Sequence, residues 1–175
     1  MNIVSKSLLS FGMAAAVAVS ASADEKYFHG PYVGADIGLS DGGKFYYGGH
    51  AGFRHQTDSN VVFGIEGSFG SYAVSESQGS ITAKIDHNWS VMGHLGYAFG
   101  ESGKNLFKIG GGYNEVQASA SGFGSSVTAS VGDFRGFIGY ERAISEKVNF
   151  RIAADFLKFD ESTGGQATAG FSFRF

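Results

Sequence analysis

Four side chains near the middle of the chain carry the groups that hydrolytic enzymes use. Glu66, Ser68, Ser90 and His94 lie in segments where apolar and polar residues alternate, and all four fall on the polar side. A serine activated by a histidine, with an acid to orient that histidine, is a common arrangement for acyl transfer. In an extended chain, however, Ser90 and His94 are about 13 Å apart, too far for a hydrogen bond. We therefore predict that these residues fill a polar interior, with a hydrolase as a less favoured alternative.

Other kinds of chemistry find little support in the composition. The chain has five histidines and no cysteine, and the histidines lack metal-ligand spacing, so we predict no metal and no cofactor. The glycines at 110–112 are followed by no helix, so they do not form a phosphate loop. Thirteen basic against 16 acidic residues give a net charge of −3, which argues against a nucleic-acid partner. These observations predict a protein that is not an enzyme.

The elements that hold these residues are predicted to be strands. The chain is rich in glycine and aromatic residues, with 28 Gly, 17 Phe, 8 Tyr and a single Pro. From Pro31 to Phe175 apolar and polar residues alternate in eight segments, separated by turn clusters such as "SDGGK" and "QTDSN". An even number of strands can close into an antiparallel barrel with both chain ends on one side. We predict an all-β fold, an eight-stranded antiparallel up-and-down transmembrane β-barrel.

The two faces of these strands indicate which side meets lipid. In the last segment, "GQATAGFSFRF", the phenylalanines share one face and no later residue is present to cover them, so lipid is the simplest cover. Lys or Arg facing the bilayer midplane would cost roughly 2–4 kcal/mol, so the charged face should point inward. Six acids and six bases lie on that face, and we predict that they pair inside the barrel. The alternative is that several of them are solvated at the rims. The predicted interior charges are Asp36, Arg54, Glu66, Lys84, Asp86, Lys108, Asp133, Arg135, Glu141, Arg151, Asp155 and Arg174.

The first residues have the pattern of a cleavable signal peptide. Lys6 precedes a short apolar run, and Ala21-Ser22-Ala23 forms an A-x-A cleavage site. A membrane anchor is the alternative, but about a dozen apolar residues fall short of the roughly 20 that span a bilayer. We predict a signal peptide at 1–23 and a single barrel domain at 24–175.

Several stretches together resemble a known family. They are "PYVGADIGLS", "VVFGIEGSFG", "HNWSVMGHLGYAFG", "GDFRGFIGYERAISEKVNFRIAADF" and the closing "GFSFRF". They resemble the small outer-membrane β-barrels of Gram-negative bacteria, the opacity-type proteins related to the transmembrane domain of outer membrane protein A. The resemblance implies location in the outer membrane, contact with its lipid and lipopolysaccharide, and recognition of the last strand by the barrel-assembly machinery. The insertion signal would comprise Gly170, Phe171, Phe173 and Phe175.

The function expected from these features is structural and adhesive. The alternation that begins at Ile81 runs well beyond the roughly 9–11 residues that a membrane strand needs. The small, polar stretch Val116–Ser130 would be either a mobile connection or the end of a long hairpin. Outer hairpins of this length would offer strand edges to a host or cell-surface ligand. The alternative is a narrow porin-like channel for small solutes. Less favoured are a lipid A-modifying hydrolase, as some barrels of this kind are, and a secreted lipocalin-like binder, which would have the opposite polarity.

Overall fold

A computed structural model of the chain describes residues 26–73, 75–78, 81–122, 125–159 and 162–175. The predicted signal peptide at 1–23 lies outside these residues. No helix in the described ranges is long and apolar enough to cross a membrane, and the helical element in those ranges is a 3₁₀ turn at Glu101–Gly103. The strands are β1 Gly30–Ser40, β2 Lys44–Gln56, β3 Val61–Tyr72, β4 Ser75–Gln78, β5 Ile81–Phe99, β6 Asn105–Gly122, β7 Ser125–Ala143, β8 Val148–Phe159 and β9 Ser162–Arg174.

The strands form one closed antiparallel ring. Apart from β3 and β4, each strand pairs with its neighbour along the chain, and the pairing of β1 with β9 and of β3 with β5 closes the sheet on itself. The short β4 continues β3, because both pair with β5: Gly70 lies opposite Asn88, and Ser75 lies opposite Lys84. The nine strands therefore occupy eight positions around the barrel. The predicted eight-stranded up-and-down barrel is confirmed.

The polarity of the wall is the reverse of that of a soluble barrel. On β3 the outward side chains Phe63, Ile65 and Phe69 are 49%, 56% and 61% exposed, whereas the inward Glu66 is 1% exposed. The same contrast holds on the other strands of the barrel wall, where exposed large apolar residues alternate with buried polar ones. Because side chains alternate along a strand, the sequence pattern translates directly into an apolar exterior and a polar interior.

The two ends of the barrel differ in shape. The turns at 57–60, 100–104 and 144–147 form what we call the lower end, and the opposite end is the upper end. Strands β5, β6 and β7 have 19, 18 and 19 residues, against 11 to 13 for β1, β2, β3, β8 and β9. Pairing between β6 and β7 continues to Gly122 opposite Ser125. The stretch Val116–Ser130 is therefore the end of a long hairpin.

A β-bulge changes the orientation of β5 near its upper end. The register between β5 and β6 shifts between Ile85 and His87, so that Asn88 lies opposite Val116 but Ile85 lies opposite Ala118. A bulge inserts one unpaired residue and exchanges the two faces beyond it. The sequence pattern assigned Ile85 to the same face as Trp89. That assignment is wrong, because the register places Ile85 in the inward row.

Candidate functional site: the charged barrel interior and the projecting sheet

Glu66 is the centre of the buried charge network. The Nη1 and Nη2 atoms of Arg151 donate to its Oε2 and Oε1 at 2.8 and 3.0 Å. The hydroxyl of Tyr32 donates to Oε2 at 2.8 Å, and the ammonium of Lys108 lies 3.7 Å from the same oxygen. Strands β1, β3, β6 and β8 each contribute one of these groups, so the network ties the wall together across the lumen. A two-pronged Arg–carboxylate pair also fixes orientation, because two parallel hydrogen bonds form at once.

Glu141 carries the second part of the network. Its Oε2 accepts a hydrogen bond from Arg54 at 2.6 Å, and its Oε1 lies 2.6 Å from the Lys108 ammonium. Lys108 therefore bridges Glu141 and Glu66. All three side chains and Arg54 are almost completely buried. Such charges are tolerated in a dry lumen only because opposite charges lie within hydrogen-bond distance.

Asp36 extends the network toward β2. Its Oδ2 lies 2.7 Å from Nδ1 of His50, and its Oδ1 lies 3.4 Å from Nε of Arg151. His50 lies on the polar face of its segment in the sequence, but it is not among the twelve predicted interior charges. The available signal was register, because His50 on β2 lies opposite Gly34, two residues before Asp36 on β1.

A second cluster lies nearer the upper end. Arg135 Nε and Nη2 lie 3.1 and 2.9 Å from Oδ1 of Asp155, and its Nη1 lies 3.4 Å from the hydroxyl of Ser90. The hydroxyls of Ser90 and Ser68 are 2.7 Å apart. Tyr72 donates to Oε1 of Gln166 at 2.6 Å. The lumen is therefore filled by side chains at two levels.

An apolar cap lies below the network. Phe28 is fully buried, its backbone N–H donates to Oε1 of Gln56 at 3.0 Å, and the guanidinium of Arg54 lies 5.1 Å from its ring centroid. Phe28 belongs to a cluster of buried apolar residues at the lower ends of the strands: Tyr27, Phe28, Val62, Ala98, Leu106 and Ala143. The segment before β1 thus covers the lower mouth. Sequence reasoning missed this cap, because two aromatics outside the alternating segments carry no strand pattern.

Eight of the twelve predicted interior charges are buried in these clusters: Asp36, Arg54, Glu66, Lys108, Arg135, Glu141, Arg151 and Asp155. They comprise four acids and four bases. The other four lie toward the ends. Lys84 and Asp86 form a 3.0 Å ion pair in which the Lys84 side chain is 59% exposed, so placing Lys84 in the interior is wrong, because the bulge turns it outward. Asp133, partly buried near the top of the wall, accepts a hydrogen bond from the Phe134 N–H. At the lower rim, Arg174 donates to the carbonyls of Lys26 and Glu146.

The residues of the predicted insertion signal lie on β9 and just after it. Phe171, Phe173 and Phe175 are exposed on the outer face, and Gly170 is buried against β1. A Cβ at Gly170 would collide with the Ala35 carbonyl and the Asp36 carboxylate. Glycine at this position therefore lets the charge network approach the wall.

The hydrolytic residues are not assembled as a catalytic set. Ser90 contacts Ser68 and Arg135, and neither ring nitrogen of His94 has a hydrogen-bond partner. His50 does contact an acid, Asp36, but its Nε2 has no hydrogen-bond partner, so it makes no hydrogen bond to a serine hydroxyl. In the described part of the chain, no group of three or more His, Cys, Asp or Glu side chains is arranged to hold a metal ion.

Above the barrel, three long strands form what we call the projecting sheet, residues 81–85, 116–122 and 125–132. Pairing of β7 with β8 begins only at Arg135, so among the described residues the segment 125–134 of β7 pairs with β6 alone. The face that continues the inward row carries small apolar side chains on both strands: Val116, Ala118, Ala120, Val127, Ala129 and Val131. Val127 and Val131 are 69% and 52% exposed. The projecting sheet thus presents an unpaired edge and an apolar face.

Comparison with known proteins agrees with this architecture. Residues 9–175 match the family model described as outer membrane protein beta-barrel domain. No curated protein sequence matches the chain. Among solved structures, Ail, the attachment invasion locus protein of Yersinia pestis, is similar with a TM-score of 0.62 and 19% identity, over 84% of this chain and 99% of Ail.

Two further structures have the same fold. Neisserial surface protein A matches with a TM-score of 0.58 and 17% identity, over 83% of this chain and 97% of that protein. The N-terminal β-barrel domain of Pseudomonas aeruginosa OprF matches with a TM-score of 0.58 and 17% identity, over 82% and 97%. At these identities the likeness extends to the fold. With a family model that covers almost the whole sequence and a wall that is apolar outside and charged inside, the chain belongs to the outer membrane protein beta-barrel domain family and is a protein of the bacterial outer membrane.

Proposed function

We propose that this protein is a non-enzymatic surface-contact protein, in which the barrel is an anchor and the projecting sheet binds an extended polypeptide segment of a partner. In this proposal the lower end faces the periplasm and the upper end faces the exterior. The observation that carries the proposal is the unpaired edge of β7 at residues 125–134, next to the apolar face. An exposed edge offers a row of free N–H and C=O groups to which another strand can add.

The composition of this edge supports pairing with another strand. Soluble proteins protect their edges with lysine, proline or inward charges. From Val116 to Gly132 the sequence contains no charged residue and no proline. The exposed Val127 and Val131 alternate with Thr128 and Ser130 along the strand, so a partner segment would meet apolar side chains on one face and hydroxyls on the other.

The same composition argues against a polyanionic ligand. The attachment invasion locus protein of Y. pestis has been crystallised with a heparin analogue, sucrose octasulfate. Recognition of sulfate groups relies on arginine and lysine. Because the stretch Val116–Gly132 has neither, we do not extend that ligand to this chain.

The barrel interior supports an anchor rather than a channel or an enzyme. Ion pairs at 2.6–3.1 Å fill the lumen at two levels, and the segment before β1 covers the lower mouth. The buried serines contact each other and Arg135. The ion-paired groups therefore bond to one another across the lumen rather than to a solute or a substrate.

Lysine substitutions on opposite faces of one strand test the proposal. Val127→Lys with Val131→Lys charges the apolar face, and Thr128→Lys with Ser130→Lys adds the same charge to the other face. Cells that display each variant would be measured for binding to immobilised matrix proteins and to other bacteria. We expect the first variant to lose binding and the second to retain most of it.

Shortening of the hairpins tests the edge itself. Removal of Ala118 to Ser126 would remove the tip of the β6–β7 hairpin, and removal of Ser75 to Ser80 would shorten the neighbouring one. Unheated and boiled gel samples would show that the shortened barrels still fold. Undiminished cell binding by folded, shortened barrels would refute the proposal.

A further inference from the structure

A second exposed site lies on the outer wall of the barrel, away from the projecting sheet. Two aromatic side chains share one carboxylate there: Trp89 Nε1 and the Tyr113 hydroxyl each lie 3.3 Å from an oxygen of Glu115. Trp89 on β5 lies directly opposite Glu115 on β6. The two rings are tilted by 52°, with centroids 5.4 Å apart. Glu115 is partly exposed, so its remaining lone pairs stay accessible.

A second ring pair widens this platform. Phe69 lies opposite Trp89 on the other side of β5, and it stacks on the ring of His87 at 5.4 Å and 24°. Phe69 is 61% exposed. The result is two ring pairs on neighbouring strands, with one carboxylate beside them.

The height of the platform places it where lipid headgroups begin. Phe99 and Trp89 mark the lower and upper ends of the outward apolar row on β5, which also contains Tyr97, Leu95 and Val91. Ten residues at about 3.3 Å each, tilted by about 40°, give a height of roughly 25 Å. The apolar band of such barrels is about 25 Å tall. Trp89 therefore lies near the upper limit of the hydrocarbon, and Glu115 and His87 lie at or above it.

The chemistry of the platform suits a sugar. Flat aromatic rings offer apolar faces to the C–H groups of a sugar ring, and a carboxylate accepts hydrogen bonds from hydroxyls more strongly than a neutral group does. An imidazole can donate to a hydroxyl or a phosphate oxygen. The Trp89 and Tyr113 donors each use one oxygen of Glu115, so the carboxylate is held in place and its other lone pairs are available to polar groups of a lipid headgroup.

We propose that Phe69, His87, Trp89, Tyr113 and Glu115 form a docking site for the sugar headgroup of an outer-leaflet glycolipid. Of the other outward aromatics near the upper rim, Phe45 on β2 and Phe156 on β8 carry no polar group, and the Tyr47 hydroxyl on β2 makes no hydrogen bond to a carboxylate of the described residues. The site is therefore confined to the β3–β5–β6 sector. It is independent of the proposed polypeptide-binding edge, since the two surfaces share no residue.

The only tryptophan of the chain is part of the site and can report on it. The full mature chain would be refolded into phosphatidylcholine vesicles that contain increasing mole fractions of a lipopolysaccharide with lipid A and core sugars. We expect the Trp89 emission to change and to saturate. Glu115→Gln should raise the half-saturating mole fraction about ten-fold, because a charge-assisted hydrogen bond is lost.

Three controls make the test decisive. Glu146→Gln makes the same charge change in the exposed lower turn and should have no effect. Trp89→Phe combined with Phe156→Trp moves the reporter to another exposed outward position and should respond without saturation. Gel migration before and after boiling would show that each variant is folded.

Three outcomes would overturn the proposal. One is an equal response from the reporter at position 156, and another is an unchanged half-saturating fraction in Glu115→Gln. The third is saturation by the deacylated sugar headgroup in solution, which would assign the site to a soluble saccharide.

Discussion

Replacement of Glu66 by glutamine should be among the most destabilising single changes in this barrel. The substitution keeps the size of the side chain but removes the charge that accepts two hydrogen bonds from Arg151 at 2.8 and 3.0 Å. Arg151 lies near two carboxylates, Glu66 at 2.8 Å and Asp36 at 3.4 Å, and the substitution removes the charge of the closer one. Breaking a buried ion pair by removal of one partner typically costs about 3–5 kcal/mol. We expect Glu66→Gln to lower the free energy of unfolding by that amount.

The measurement is urea unfolding in phospholipid vesicles, followed by Trp89 emission and by gel migration of unheated samples. Asp58→Asn is a matched control, because its carboxylate also pairs with a base, Lys26 at 2.6 Å, but is 98% exposed. An exposed pair contributes little, so this control should leave the free energy of unfolding close to that of the parent.

The double variant Glu66→Gln with Arg151→Gln separates charge balance from packing. It removes one acid and one base together, so the interior has fewer unpaired charges than in the single variant Glu66→Gln. We expect it to be more stable than the sum of the single effects predicts, by about 2 kcal/mol. Additive effects in the double variant, or a cost below about 1 kcal/mol for Glu66→Gln alone, would refute the argument that pairing keeps the charges inside.

Three further predictions concern the cap and the lumen. Phe28→Ala should lower the free energy of unfolding by about 3–5 kcal/mol, because a fully buried ring is removed, and the same urea assay should show a much smaller effect for the 67% exposed Phe175→Ala. Burial, with the nearby charges of His55 and Lys26, lowers the pKa of His29, so the unfolded chain binds a proton at this histidine more readily than the folded chain does. Protection of the cap against proteolysis should therefore fall as the pH drops through about 6.5. His29→Gln should abolish this pH dependence, and an unaltered pH profile in that variant would contradict the prediction. The intact protein should be silent in planar bilayers, whereas combined Glu66→Ala and Arg151→Ala should give a steady conductance; steady currents from the intact protein would contradict the anchor and favour the porin-like alternative.

The wall of the barrel was predictable from sequence because lipid imposes a strict requirement on every second residue. Phe63, Ile65 and Phe69 had to share a face, and Glu66 had to lie on the other, if the strand was to cross hydrocarbon. Pairing partners within the lumen were not predictable. The 2.6 Å contact between Arg54 and Glu141 joins residues 87 positions apart, and it depends on the shear of the closed sheet rather than on any local pattern.

The two features that sequence reasoning missed have local causes. The cap formed by Tyr27 and Phe28 depends on how the chain folds back before β1, where no alternation constrains it. The bulge near Asp86 adds a single residue, and alternation continues on both sides of it with the faces exchanged. A run such as Ile81, Ala83 and Ile85 therefore appears continuous with Trp89 in sequence. One inserted residue is invisible to a period-two pattern unless a neighbouring strand fixes the register.

The position of that bulge has a physical reason. Below Trp89 the outward row faces hydrocarbon and has to be apolar, whereas above it the outward row faces headgroups and water. With the faces exchanged at this height, Lys84 turns outward, where its side chain is 59% exposed and pairs with Asp86, and Ile85 joins the inward row beside Ala118. Without the exchange, Lys84 would continue the buried row of Asn88 and Ser90. The bulge thus moves polar groups to the outside where lipid ends, and it places Ile85 on the apolar face of the projecting sheet.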